Sequence, residues 1–180
     1  VQTCALPISS DKVLTEDSAA KPGFQHTLVS SWEAAAHASK AERICILRFG
    51  VILGEGGMLK RLKLPFLLGG GGRLGSGKQW ISWIHIDDVC RLIQCCLEDS
   101  TYQWTYNTVS PEPVMQADFK NALGKRLRRP TLCLAPAWLL RLMLGEMSEL
   151  LVGGARLAPK RLQAQGFGFE YPTLEKALKA

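Results

Sequence analysis

Residues 43–53 read RICILRFGVIL, and glycines follow at 54, 56 and 57. Apolar and β-branched residues run together here without the polar alternation of a half-exposed strand. The stretch therefore predicts a buried strand running to Gly54. Such a strand needs cover, and helical spacing supplies it nearby. From Phe24 to about Ser39, the residues Leu28, Val29, Trp32, Ala35 and Ala36 recur at helical intervals, with Trp32 expected in the core. Met58 to Leu68 starts as a helix that Pro65 breaks or kinks. Further on, Trp80 to Ile86 reads as a short strand. Asp87 reads as the N-cap of a helix whose inward face is Val89, Leu92, Ile93, Cys96 and Leu97. Residues 104–109 suggest another strand, and 116–128 a helix with Phe119, Ala122, Leu123 and Leu127 inward. Strands alternating with helices predict an α/β sheet. After Ser110-Pro-Glu-Pro113 and this helix, the last fifty residues read as an α-rich appendage. Pro136 opens one helix, Pro159 starts a short one that Gly166 stops, and Pro172-Thr173 introduces the last.

At 180 residues, 47% of them hydrophobic and 21% charged, the chain is long enough for one domain with its own core. No apolar run approaches the length of a membrane span, and no secretory signal is expected. The net charge of +6 comes from clusters at Lys60, Arg61 and Lys63, at Lys125 to Arg129, and at Lys160-Arg161. No aromatic residues interleave with them, so they read as solvated helix faces and ends, and no nucleic-acid or membrane partner is expected. Six cysteines lie at 4, 45, 90, 95, 96 and 133, none in a CxxC pair. That usage suits a reducing cytoplasm, with cysteine as a small apolar residue and no metal site. The opening VQTCALPI, residues 1–8, back-translates readily to a common sequencing-adapter sequence. The expectation is that the natural chain starts near Ser9 and that an N-terminal portion is missing.

A glycine-rich stretch at 69–79, GGGGRLGSGKQ, comes within one residue of a phosphate-binding P-loop. Gln79 stands where a magnesium-binding Ser or Thr should be, and a strand pattern follows in place of a helix. The loop is read instead as a mobile connection on the substrate side of a site.

Three pieces of sequence carry a family resemblance. They are Ser31-Trp-Glu-Ala-Ala-Ala36, then Leu47-Arg-Phe-Gly-Val-Ile-Leu-Gly54 with Gly56-Gly-Met-Leu59, and then Gly71 to Trp80 with Trp83-Ile-His-Ile-Asp-Asp88. Together they resemble the epimerase-like family of atypical extended short-chain dehydrogenases/reductases. Pro136 to Leu178 is similar to the small C-terminal domain of unknown function found in that family, through Leu144-Gly145-Glu146, Gly166-Phe167 and Tyr171-Pro172. The resemblance covers roughly residues 13–180. It implies the C-terminal part of a Rossmann-type, doubly wound parallel sheet over residues 9–130, and a small α-rich domain over 131–180. It also implies binding of NADP(H) ahead of NAD(H), mainly through the missing N-terminal half, since no GxGxxG fingerprint is present.

The same resemblance places Arg48, Gly50, Val51 and Ile52 on the strand that runs to the nicotinamide, although Arg48 could equally pair with a carboxylate such as Glu33. It places Gly75, Gly77, Trp83, His85 and Asp88 on the substrate side. His85 with an acidic neighbour could move a proton, but its competing role is to hold the loop. Where sugar-nucleotide epimerases of the superfamily carry a phosphate-binding arginine, this chain has Ile81. The superfamily's Tyr-x-x-x-Lys falls on Gln25 and Val29, neither of which titrates. Tyr102, Tyr106 and Tyr171 are outside motif positions, so no catalytic residue is assigned. The implied function is NAD(P)-dependent oxidation, reduction or epimerisation of a small carbonyl or sugar-like compound. The alternative is an NADP(H)-binding protein without turnover, a sensor or scaffold.

Overall fold

The computed structural model describes residues 11–19, 24–67, 77–128 and 154–180. The predicted Pro136 helix, the adapter-like start and residues 69–76 of the glycine loop lie outside them. The central feature is the predicted buried strand, divided at Gly50 into β2 (Ile46–Phe49) and β3 (Val51–Leu53). Its two halves have different partners. β2 pairs in parallel with β6 (Thr105–Thr108), while β3 pairs in parallel with β5 (Trp83–His85). The change of partner occurs at Gly50 because another chain segment crosses there. A Cβ on Gly50 would collide with the Ser82 carbonyl and come within 2.8 Å of Val109 Cγ1.

The strand expected at 80–86 is two strands. Ser82 separates β5 from β4 (Trp80–Ile81), which pairs antiparallel with β7 (Val114–Met115). The Ser82 hydroxyl donates to Ala155 O at 2.7 Å and accepts from Leu157 N at 2.9 Å, so an outside segment takes over its side chain. That segment is β8 (Arg156–Leu157), parallel to β1 (Val13–Leu14). The loop expected at 11–23 thus contributes a two-residue strand.

Helices cover the strands. They are α1 (Phe24–His37), α2 (Gly57–Leu67), α3 (Ile86–Glu98), α4 (Gln116–Leu127), α5 (Lys160–Ala164) and α6 (Leu174–Ala177). The backbone of α2 runs through Pro65 without ending, contrary to the expected break. Side chains alternate across a strand, so Val51 and Leu53 share one face of β3. There they join Leu62, Phe66, Trp83, Phe119 and Leu123 in one core, closed by Leu174 and Leu178. A second core holds Leu92, Cys96, Tyr102, Tyr106, Leu162 and Phe167, with Leu47 packed against it. The inward face of α3 is narrower than predicted. Asp88, Val89, Leu92 and Cys96 are buried, whereas Ile93 and Leu97 are exposed. Arg43 closes this helix, its guanidinium donating to the carbonyls of Cys96, Leu97, Asp99 and Tyr102 around the C-terminus.

Trp32 is not in the core. It is 50% exposed on α1, beside Leu28 at 38%. Its apolar helical spacing is real, but no described element packs over that face.

Candidate functional site

A cleft of about 1100 Å³ opens where β3 and β5 end. Carboxyl ends of parallel strands gather at one edge of a sheet, and the turns leaving them leave a crevice there. The turn after β3 supplies Gly54 and Gly56, and α2 supplies Lys60. His85 and Asp87 enter from the β5–α3 junction, Arg126 from α4, and Tyr171 from the segment before α6. Cations and anions are balanced around it, Lys60 and Arg126 against Glu55 and Asp87. Arg126 is partly engaged, its Nε donating to Leu178 O at 2.8 Å.

His85 is buried at the point where strand becomes helix. It is the N-cap of α3, and its Nδ1 accepts the Asp87 N–H at 3.3 Å. This corrects the assignment of the cap to Asp87, which is the second residue of the helix. Asp87 Oδ2 stands 3.4 Å from the same Nδ1. The His85 ring lies against Tyr171, with centroids 3.9 Å apart and planes tilted by 36°. Burial, and then the negative charges of Glu170 and Asp87, push the Tyr171 phenol up, and a hydrogen bond with Asp87 acts in the same direction. Tyr171 therefore stays a proton donor at neutral pH and is no phenolate base.

Asp88 points away from the cleft. It is fully buried and accepts the N–H groups of Glu170 and Tyr171 at 2.8 and 2.9 Å. Arg91 Nη1 donates to Asp88 Oδ1 at 3.1 Å and to Gly168 O at 2.9 Å. A buried carboxylate is tolerable only with such partners. Trp83 is also buried within the first core, its Nε1 donating to Glu112 O at 2.9 Å. Gly77 has a left-handed φ of 68°, and its carbonyl accepts the Ala117 N–H at the start of α4. Gly75 lies outside the described residues. Of the four described residues placed on the substrate side, His85 lines this cleft and Gly77, Trp83 and Asp88 do not.

The four strand residues expected near a nicotinamide lie together, away from the cleft lining. Arg48 is held by Glu33 in a bidentate pair, with Nε and Nη2 each 2.7 Å from a carboxylate oxygen. The Arg48 hydrogen bond holds the Glu33 carboxyl below its ordinary value. Gly50 donates its N–H to Thr108 O and Val51 donates to Ser82 O, so both are occupied by neighbouring strands. Ile52 is half-buried and faces opposite to Val51 and Leu53. Nearby, Glu16 is buried, with Oε1 accepting from Asn107 N at 3.1 Å and from Arg161 N at 3.4 Å. Its Oε2 has no partner among the described residues. Sequence reasoning missed Glu16 and Tyr171 as contributors, and it read Asp87 chiefly as a helix cap. Tyr171 sits in the Tyr171-Pro172 pair that carried part of the resemblance, and that pair was the available signal.

Comparison with known proteins finds consistent likenesses. Residues 135–180 match a family described as a domain of unknown function, DUF1731. The chain is 38% identical over 178 residues to the mouse epimerase family protein SDR39U1, covering 95% of this chain and 60% of that one. It superposes with a TM-score of 0.86 on the human epimerase family protein SDR39U1 solved with NADPH, at 34% identity, covering 94% of this chain and 59% of that one. Over nearly its whole length the chain is similar to these epimerase family proteins.

A nucleoside-diphosphate sugar epimerase from Corynebacterium glutamicum is also similar, at 32% identity and a TM-score of 0.75, over 93% of this chain and 33% of that one. These likenesses make the fold the C-terminal part of an α/β, Rossmann-type sheet. The chain spans about 60% of the length of the first of these relatives. Among the described residues, no helix is long and apolar enough to cross a membrane, and no cluster of three or more His, Cys, Asp or Glu could hold a metal ion.

Proposed function

We propose that this chain forms the substrate side of an NADP(H)-dependent oxidoreductase or epimerase acting in the cytoplasm on a small carbonyl or sugar-like compound. The observation that carries this reading is the cleft at the carboxyl ends of β3 and β5, with His85, Asp87 and Tyr171 at one end. The human relative solved with NADPH supports the choice of cofactor. Of residues 48–52, Ile52 fits best as an apolar wall for a nicotinamide, since Arg48 is taken by Glu33 and Gly50 is filled by Ser82 and Val109. When bound, NADP(H) supplies or accepts the hydride. The diphosphate belongs to a part of the protein outside this chain. Buried Ile81, in place of an arginine, argues against a nucleotide-sugar substrate.

A second reading, NADP(H) binding without turnover, is favoured by Gln25 and Val29 at the places of the superfamily's tyrosine and lysine. One experiment separates the two. A protein of full family length containing this sequence is titrated with NADPH by fluorescence, then offered a panel of aldehydes, ketones and keto-sugars while absorbance at 340 nm is followed. Binding with turnover supports the first reading, and binding without turnover the second. Loss of both, in a folded protein, overturns the cofactor assignment.

A further inference from the structure

The C-terminal segment 168–172 reaches the cleft through one tightly specified attachment. Asp88, fully buried on α3, accepts the N–H groups of both Glu170 and Tyr171. Arg91 bridges from Asp88 to Gly168 O, and Ser110 Oγ donates to Pro172 O at 2.8 Å. Four contacts thus fix five residues of backbone. The side chain projected by this anchored stretch is Tyr171, which lies against the His85 ring at 3.9 Å and lines the cleft beside Asp87. Lys176 stands 5.6 Å from the other ring's centre, that of Tyr171 itself, and adds a cation to its surroundings.

We propose that Tyr171 is a substrate-positioning residue, set over His85 by the buried Asp88 carboxylate, so that the C-terminal domain forms a working wall of the cleft. This rests on the substrate-side reading above and gives it a specific donor. The phenol, kept protonated among Asp87, Asp88 and Glu170, turns its single O–H from Asp87 to a substrate oxygen when substrate binds, and its ring shields His85. Asp88 acts through the segment it holds and touches no substrate.

Two measurements test this. The first needs no turnover. The chain has three histidines, and His37 is exposed while His85 is buried. Diethylpyrocarbonate modification, followed residue by residue by mass spectrometry, should be slow at His85 in the wild type. It should rise at least about fivefold in Tyr171→Ala and Asp88→Asn, remain slow in Tyr171→Phe, and stay constant at His37. The surface variant Lys179→Ala is the control. The second uses the full-length protein with NADPH and a carbonyl that it reduces. Tyr171→Phe should raise KM about tenfold, with kcat and NADPH affinity within twofold of wild type. Wild-type His85 reacting as fast as His37, or unchanged His85 rates in both opening variants, overturns the proposal. So does an unchanged KM in both Tyr171→Phe and Tyr171→Leu. If no carbonyl is reduced, the reductase reading falls, and the modification rates alone judge whether Tyr171 covers His85.

Discussion

Glu33 and Arg48 form a bidentate pair between α1 and β2, with side chains 16% and 31% exposed. Partial exposure screens such a pair, so Glu33→Gln should cost only about 1 kcal/mol at pH 7, measured by urea unfolding. The pH dependence has a definite sign. The folded Glu33 carboxyl lies below its ordinary value of 4.5, so its contribution is fully present above that value and is lost as pH falls through the folded value. The gap between wild type and Glu33→Gln should therefore close on acidification below about pH 4.5, and a gap that widened there would contradict the pairing. The cysteines differ as sharply. Burial pushes the Cys96 thiol up to about 12, with Cys45 Sγ 3.2 Å away, whereas Cys90 is exposed. Iodoacetamide at pH 8 should therefore label Cys90 in the folded protein and reach Cys96 only on unfolding, because the thiolate is the nucleophile.

Among the elements, the strand over 43–53 was legible because its apolar run has one natural reading. Its division at Gly50 was not, since the cause is Ser82, thirty-two positions away in sequence. Gly50→Ala should cost about 2–3 kcal/mol, because the new methyl meets a backbone carbonyl and Val109 with no room to yield. Thermal unfolding would measure this, and a change under 0.5 kcal/mol would mean that the strands can separate at that point. The start of α3 was half legible. Asp87 is the better capping residue by type, but the helix starts so that the cap falls two residues earlier, and the imidazole of His85 takes it. The family motifs singled out His85, which lines the cleft at the carboxyl ends of β3 and β5. They did not reveal that Asp88 faces inward or that Tyr171 completes the cleft, because both facts depend on a contact between residues 82 and 83 positions apart.

For the molecule as a whole, the main mismatch between pattern and burial lies on α1. Leu28 and Trp32 satisfy an amphipathic pattern yet stand exposed, and β2 has no described partner on its side away from β6. An open strand edge beside apolar side chains favours association. Residues 9–180 made alone should therefore elute from size exclusion as concentration-dependent oligomers or aggregates, and Trp32→Gln should shift them toward monomer. A monomer at all concentrations would remove the argument. The pairing of β1 with β8 has a different consequence, one of timing. Asp17 meets Lys160 and Arg161, and Lys160 is 143 residues further along the chain. At a synthesis rate of about 5–20 residues per second, roughly 7–29 s separate the making of these two partners. For that interval the newborn chain carries β1 and Asp17 without their partners β8, Lys160 and Arg161. The pairing of β1 with β8 therefore closes only after the whole stretch between them has been made.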